Sequence, residues 1–157
     1  MDVPPQIREV AGRFALTGRA TGIEPFPGGH INDSFLLEAV AGDGVRRYLL
    51  QRINGDVFPR PHQVMRNIER VTRHVLKRMR EDGVEDPRRR FLTLIPTLEG
   101  GAWLQDARGD VWRLYHFIEG TSCHLEVETL EQAETAGFSF GQFQQLLSGL
   151  DGAPLHV

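Results

Sequence analysis

The sequence predicts an α+β fold: one antiparallel sheet crossed by a single long helix, followed by a mainly helical piece. Three observations carry that reading. Alternating apolar and polar segments come in pairs joined by tight turns. A stretch near residue 70 holds the strongest apolar stripe at helical spacing. The order of elements is helix, three strands, long helix, two or three strands, helix, which suits an antiparallel sheet better than repeated strand–helix–strand units.

Each element has its own warrant. Residues 6–17 place Ile7, Val10, Ala11 and Phe14 on one helical face, with Gly18 as a stop. Strands follow at 21–26, 34–40 and 46–53, the last two joined by Ala41-Gly42-Asp43-Gly44, a good hairpin turn. The long helix covers 61–79, where Val64, Ile68, Val71, Val75, Leu76 and Met79 form the stripe and Pro61 suits the first turn. Arg66, Arg70, Arg73, Lys77 and Arg80 lie on or near its other side, and Gly83 ends it. A strand is expected at 91–96, and strands at 103–105 and 111–117 flank the turn 106–110. Gly120 and Thr121 break the pattern. A last helix starts near Thr129, where Gln132 completes a capping box, with Leu130, Ala133, Gly137, Phe140, Phe143 or Gln144, and Leu147 on its apolar face. The break after Phe117 divides the chain into 1–117 and 118–157.

Composition narrows the function. Hydrophobic residues are 40% and charged residues 25%, values of an ordinary globular protein, which argues against a disordered chain. A net charge of −3 supplies no bulk basic field, so nucleic acid is not an expected partner. No apolar run approaches the ~18 residues of a membrane span, and Met1-Asp2-Val3-Pro4-Pro5 does not open a signal peptide. A lone cysteine, Cys123, fits a reducing cytoplasm. Six histidines stand in no metal-binding spacing. The eighteen basic residues include a single lysine, Lys77.

One loop has the residues for anion binding. Pro27-Gly28-Gly29-His30-Ile31-Asn32-Asp33-Ser34 joins the first two strands. Its glycines permit a concave nest of backbone N–H groups, and they equally suit a plain hairpin turn. It is neither a Walker A loop nor G-x-G-x-x-G.

The ordered set of motifs is more specific than any one of them. It comprises Gly29-His30-Ile31-Asn32-Asp33-Ser34-Phe35, then Tyr48-Leu49-Leu50-Gln51-Arg52-Ile53-Asn54, then Val57-Phe58 with Asn67-Ile68, then Gly109-Asp110-Val111-Trp112-Arg113, Phe117-Ile118-Glu119-Gly120-Thr121, and Phe140-Gly141 with Phe143-Gln144. This set resembles the amino-terminal half of the aminoglycoside phosphotransferase family, and within it the N-acetylhexosamine 1-kinases. The resemblance implies a protein-kinase-like amino-terminal lobe plus the first helix of the carboxy-terminal lobe. It implies ATP as cosubstrate and phosphorylation of a sugar at its anomeric hydroxyl. It also implies Mg²⁺, with ligands in the carboxy-terminal lobe.

Roles follow from the resemblance. Gly28, Gly29, His30, Asn32 and Ser34 would cover the phosphates of the nucleotide. Backbone groups of His116, Phe117 and Ile118 would bond adenine. Gln51 stands where kinases carry a lysine, if Leu49 and Gln51 share a face, and Arg52 then points the other way. Glu69 is the only acid in the first three turns of the long helix, so the usual lysine–glutamate pair cannot form. Phosphate charge would be met by backbone amides, an arginine or metal. No His-x-Asp occurs in the 157 residues, so the segment holds no catalytic residue of this family and is expected to be inactive by itself. It reads as the front half of a kinase. The alternatives are a non-catalytic nucleotide-binding or interaction module, or a related kinase for an aminoglycoside, choline or homoserine.

Overall fold

The computed structural model describes residues 4–27, 29, 31–42, 44–122, 124 and 126–156. Helix α1 (Pro5–Gly12) leads into strands β1 (Arg19–Pro25), β2 (Asp33–Ala41) and β3 (Gly44–Arg52). Helix α2 (Pro61–Glu81) follows, then a 3-10 turn (Pro87–Arg89), strands β4 (Leu104–Gln105) and β5 (Val111–His116), and helix α3 (Leu130–Leu147). The strands form one antiparallel sheet in the order β1-β2-β3-β5-β4. The α+β expectation therefore holds, including the pairing of Ala41 with Gly44 beside the first expected turn, whose Asp43 lies outside the described residues, and the hairpin at 106–110.

The register decides which side chains share a face. Leu37, Tyr48 and His116 lie side by side, as do Phe35, Leu50 and Leu114. This back face packs on Ile7, Val10 and Ala11 of α1, on Phe14 just beyond it, and on Ile95. Tyr48 is fully buried there, and its hydroxyl donates to Thr17 O and accepts from Thr17 N at 3.2 and 3.1 Å. The front face carries Ser34, Leu36, Leu49, Gln51, Ile53, Val111, Arg113 and Tyr115. Helix α2 covers one end of it, where Met65 and Ile68 pack with Ile53 and Val111.

Three expectations change. The first helix ends at Gly12 rather than near 17, because Phe14 turns inward to bridge Thr97 and fill the back core. Gly18 is not its stop. It opens β1 at φ +100°, where a Cβ would lie 2.5 Å from Val40 O, so glycine is required. The segment 91–96 is not a strand. It touches β5 through one bridge, Leu94 to Tyr115, because β4 takes the rest of that edge and Pro96 has no N–H to donate. Helix α3 starts at the capping box of Thr129 and Gln132, both halves of which form, but none of its residues is buried. Phe143 stacks on Phe91 at 5.9 Å and His74 Nε2 bonds Leu146 O at 3.0 Å, whereas Leu130, Phe138 and Phe140 are exposed. Past α3 the chain turns back along α2. Arg70 holds the carbonyls of Asp151 and Ala153, and the Asn67 amide pairs with the backbone of His156.

Candidate nucleotide site on the front of the sheet

The front face is open where α2 does not reach, and its polar residues form one connected network. Gln51 Nε2 donates to Ser34 Oγ at 3.0 Å, and that hydroxyl contacts Asn32 O at 3.4 Å. Asn32 Oδ1 accepts from Asn54 N at 3.0 Å, which ties the loop to the end of β3. Gly29 comes close to the same point, since a Cβ there would meet Ser34 Oγ at 3.3 Å and Asn32 O at 3.4 Å. Four of the expected site residues, Gly29, Asn32, Ser34 and Gln51, are thus brought together. Gly28 and His30 lie outside the described residues.

Period-2 alternation places Leu49 and Gln51 on the front and Arg52 on the back. Arg52 is fully engaged there. Its guanidinium holds Asp33, near the end of the loop, and reaches Asp110 at 3.2 Å. A polar recess lined by Asp33, Arg52, Asn54, Asp56 and Asp110 results at the carboxy-terminal end of the loop.

The sequence reading missed the cation of this face. Arg113 of β5 sits directly across from Gln51, and its Nε and Nη2 both donate to Gln51 Oε1 at 3.1 and 3.0 Å. Its guanidinium carbon lies 5.2 Å from the centre of the Tyr115 ring. Burial lowers the guanidinium pKa, opposed by the Tyr115 phenol, and burial raises that phenol in turn. Arginine stays charged even so.

At the other end, the expected hinge residues separate. The Phe117 ring meets Phe26 edge to face at 5.5 Å, beside the start of the loop. The ring of His116 is on the back face, 5.5 Å from Tyr48, where burial, Arg88 and Arg46 lower its pKa against the pull of Asp86. The N–H groups of His116 and Phe117 are bonded to Thr93 O and Arg47 O, at 3.0 and 3.1 Å. Ile118 O accepts from Thr121 Oγ1 at 3.2 Å.

The sequence profile of the phosphotransferase enzyme family matches residues 22–156, most of the chain. The chain belongs to this phosphotransferase family. Family kinases act on small molecules and generally use ATP and Mg²⁺. In this phosphotransferase the sheet and α2 form the kinase-like amino-terminal lobe. The match begins inside β1, so α1 lies outside it although it fills the back core. Among the described residues no group of three His, Cys, Asp or Glu side chains could hold a metal ion. Among the described residues no helix is long and apolar enough to cross a membrane.

Chemically, the site can bind and orient. Its half-buried apolar residues Phe26, Leu36, Leu49 and Phe117 suit a base ring, and its network of neutral donors with one cation suits an anion. Among the described residues, the ionisable side chains beside Gln51 on this face are the Arg113 guanidinium and the buried Tyr115 phenol.

Proposed function

We propose that these residues form the nucleotide-binding lobe of an ATP-dependent small-molecule kinase, with adenine against Phe117 and Leu49 and the phosphates beneath the 27–34 loop. The observation that carries this is the grouping of Gly29, Asn32, Ser34, Gln51 and Arg113 at one end of the front face, with Phe117 toward the other and the ring of Phe26, which precedes the loop, set against it. Phe117 to Arg113 is four residues along one strand, or ~13 Å, a length on the scale of an extended nucleotide. Arg113 leans over Tyr115, toward the base end. The Ile118 N–H is the backbone donor of the hinge that makes no bond among the described residues. We place the lobe boundary after Phe117.

The acceptor we propose is an N-acetylhexosamine phosphorylated at its anomeric hydroxyl. The ordered motifs from Gly29 to Gln144 support that choice, and the family match agrees with the broader chemistry. Calorimetric titration with adenosine, guanosine and ADP tests the binding reading. Adenosine is expected to bind in preference to guanosine, and Phe117→Ala to weaken adenosine. No adenosine binding by the folded protein would refute it. With a lobe bearing the His-x-Asp loop present, loss of the sugar's reducing end on phosphorylation tests the acceptor. Transfer to choline, homoserine or an aminoglycoside instead of the sugar would refute it.

A further inference from the structure

Arg113 is a half-buried cation with no carboxylate partner among the described residues. Such charges are normally paired, because an uncompensated one is costly. Two neighbouring arginines are paired: Arg52 with Asp33 and Asp110 on the back, Arg47 with Glu38 and Glu119 at the hinge. Lys77, the only lysine, pairs with Glu81 in the last turns of α2. Among the described residues of the front face of the sheet, Arg113 is the arginine without a carboxylate partner. Among the described residues its two hydrogen bonds share one amide oxygen, and Nη1 makes none.

We propose that Arg113 is the phosphate-contacting cation of this site, supplied from β5 in place of the lysine that kinases carry on the third strand. This assignment rests on the nucleotide-binding reading above. Gln51 is then a positioning residue. It stands at the lysine's place and gives an acceptor that fixes the guanidinium without cancelling its charge. A glutamate there would make a salt bridge, and a lysine would repel Arg113 and leave it without its acceptor. The neighbouring Ser34 fixes the amide in turn, since Gln51 Nε2 is committed to Ser34 Oγ and only Oε1 faces the arginine. Arginine offers a planar fork matched to phosphate oxygens, and its partly desolvated setting strengthens the contact.

The test uses three probes, adenosine, ADP and inorganic tripolyphosphate, titrated into the wild type and three variants. Arg113→Met is expected to weaken ADP and tripolyphosphate about 10- to 100-fold, as loss of a charge-assisted contact does, with adenosine unchanged. Gln51→Glu keeps Arg113 but neutralises it, so it is expected to lose phosphate affinity while unfolding no earlier than wild type on heating. Arg113→Lys should recover part of the loss. If Arg113→Met does not fold, Gln51→Glu decides. An ADP-to-adenosine affinity ratio unchanged in the variants that fold would overturn the assignment and leave the nucleotide reading standing. Tripolyphosphate binding lost in Arg113→Met, in a protein that binds no adenosine, would keep the cation's role and refute the nucleotide. A wild type that binds none of the three would overturn both.

Discussion

Phe14→Ala probes whether α1 belongs to the folding unit, although the family match begins only at residue 22. Phe14 is 2% exposed and sits in the back-face cluster with Leu37, Leu50, Trp112 and Leu114. A buried aromatic removes about 150–250 Å² from water. At about 25 cal/mol per Å² that is ~4–6 kcal/mol, of which alanine keeps a part. The remaining loss and the cavity left behind bring the expected cost to ~3–4 kcal/mol, within the usual range for this substitution. Against a total stability of about 5–15 kcal/mol, the change is large. Urea unfolding followed by tryptophan fluorescence reads it, because Trp112 is 1% exposed in the same cluster. Glu9→Ala, on the exposed side of α1, is the control and should stay within about 0.5 kcal/mol of wild type. A loss below about 1 kcal/mol for Phe14→Ala would refute the reasoning, since it would mean that α1 and its following turn are not docked on the sheet.

Other perturbations give separate outcomes. Burial raises the Asp106 carboxyl, but hydrogen bonds from the Trp112 indole and the N–H groups of Arg108 and Asp110 more than offset this, so its folded pKa is lowered. The stability it contributes is present above the unfolded value of about 3.9 and is lost as pH falls through the folded pKa. Asp106→Asn should therefore lose stability at pH 7 and show a flatter acid limb in thermal melts; an unchanged acid limb would count against it. Tyr48→Phe removes two hydrogen bonds to Thr17, which is exposed and can turn to water, so denaturant unfolding should show a cost of only ~1 kcal/mol. Thr129→Ala removes the capping hydroxyl of α3 and should lower helicity by circular dichroism, at a cost of about 1 kcal/mol to that helix. These 157 residues alone should release no protein-dependent ADP from ATP and N-acetylgalactosamine, because no His-x-Asp base is among them; steady turnover would refute that.

Local signals in the sequence were read well where they decide the structure. The pairing of Ala41 with Gly44, the hairpin at 106–110, the long helix and the Thr129 capping box all rest on short-range chemistry, and all appear. The side of β3 on which Gln51 falls follows from alternation alone. What was not legible depends on contacts between distant segments. Phe14 leaves its helix because the back core has room for it, and nothing near residue 14 announces that. The 91–96 segment has the residues of a strand but competes with β4 for one edge. Arg113 became visible as a site residue only when the pairing of β3 with β5 set it opposite Gln51, more than sixty positions away.

The sheet's two margins differ in how they meet other chains. The far side of β5 is capped twice, by β4 and by the backbone of residues 93–95, which bond to Leu114 and His116. The margin beyond β1 carries no pairing among the described residues. Unpaired margins template intermolecular sheets unless something spoils the match. Here the register slips between Ala20 and Gly22, Arg19 and Glu24 are exposed charges, and Pro25 ends the strand without an N–H. Self-association through extended strands is thereby disfavoured at the β1 margin, so clumping of this lobe should run through the exposed phenylalanines of α3.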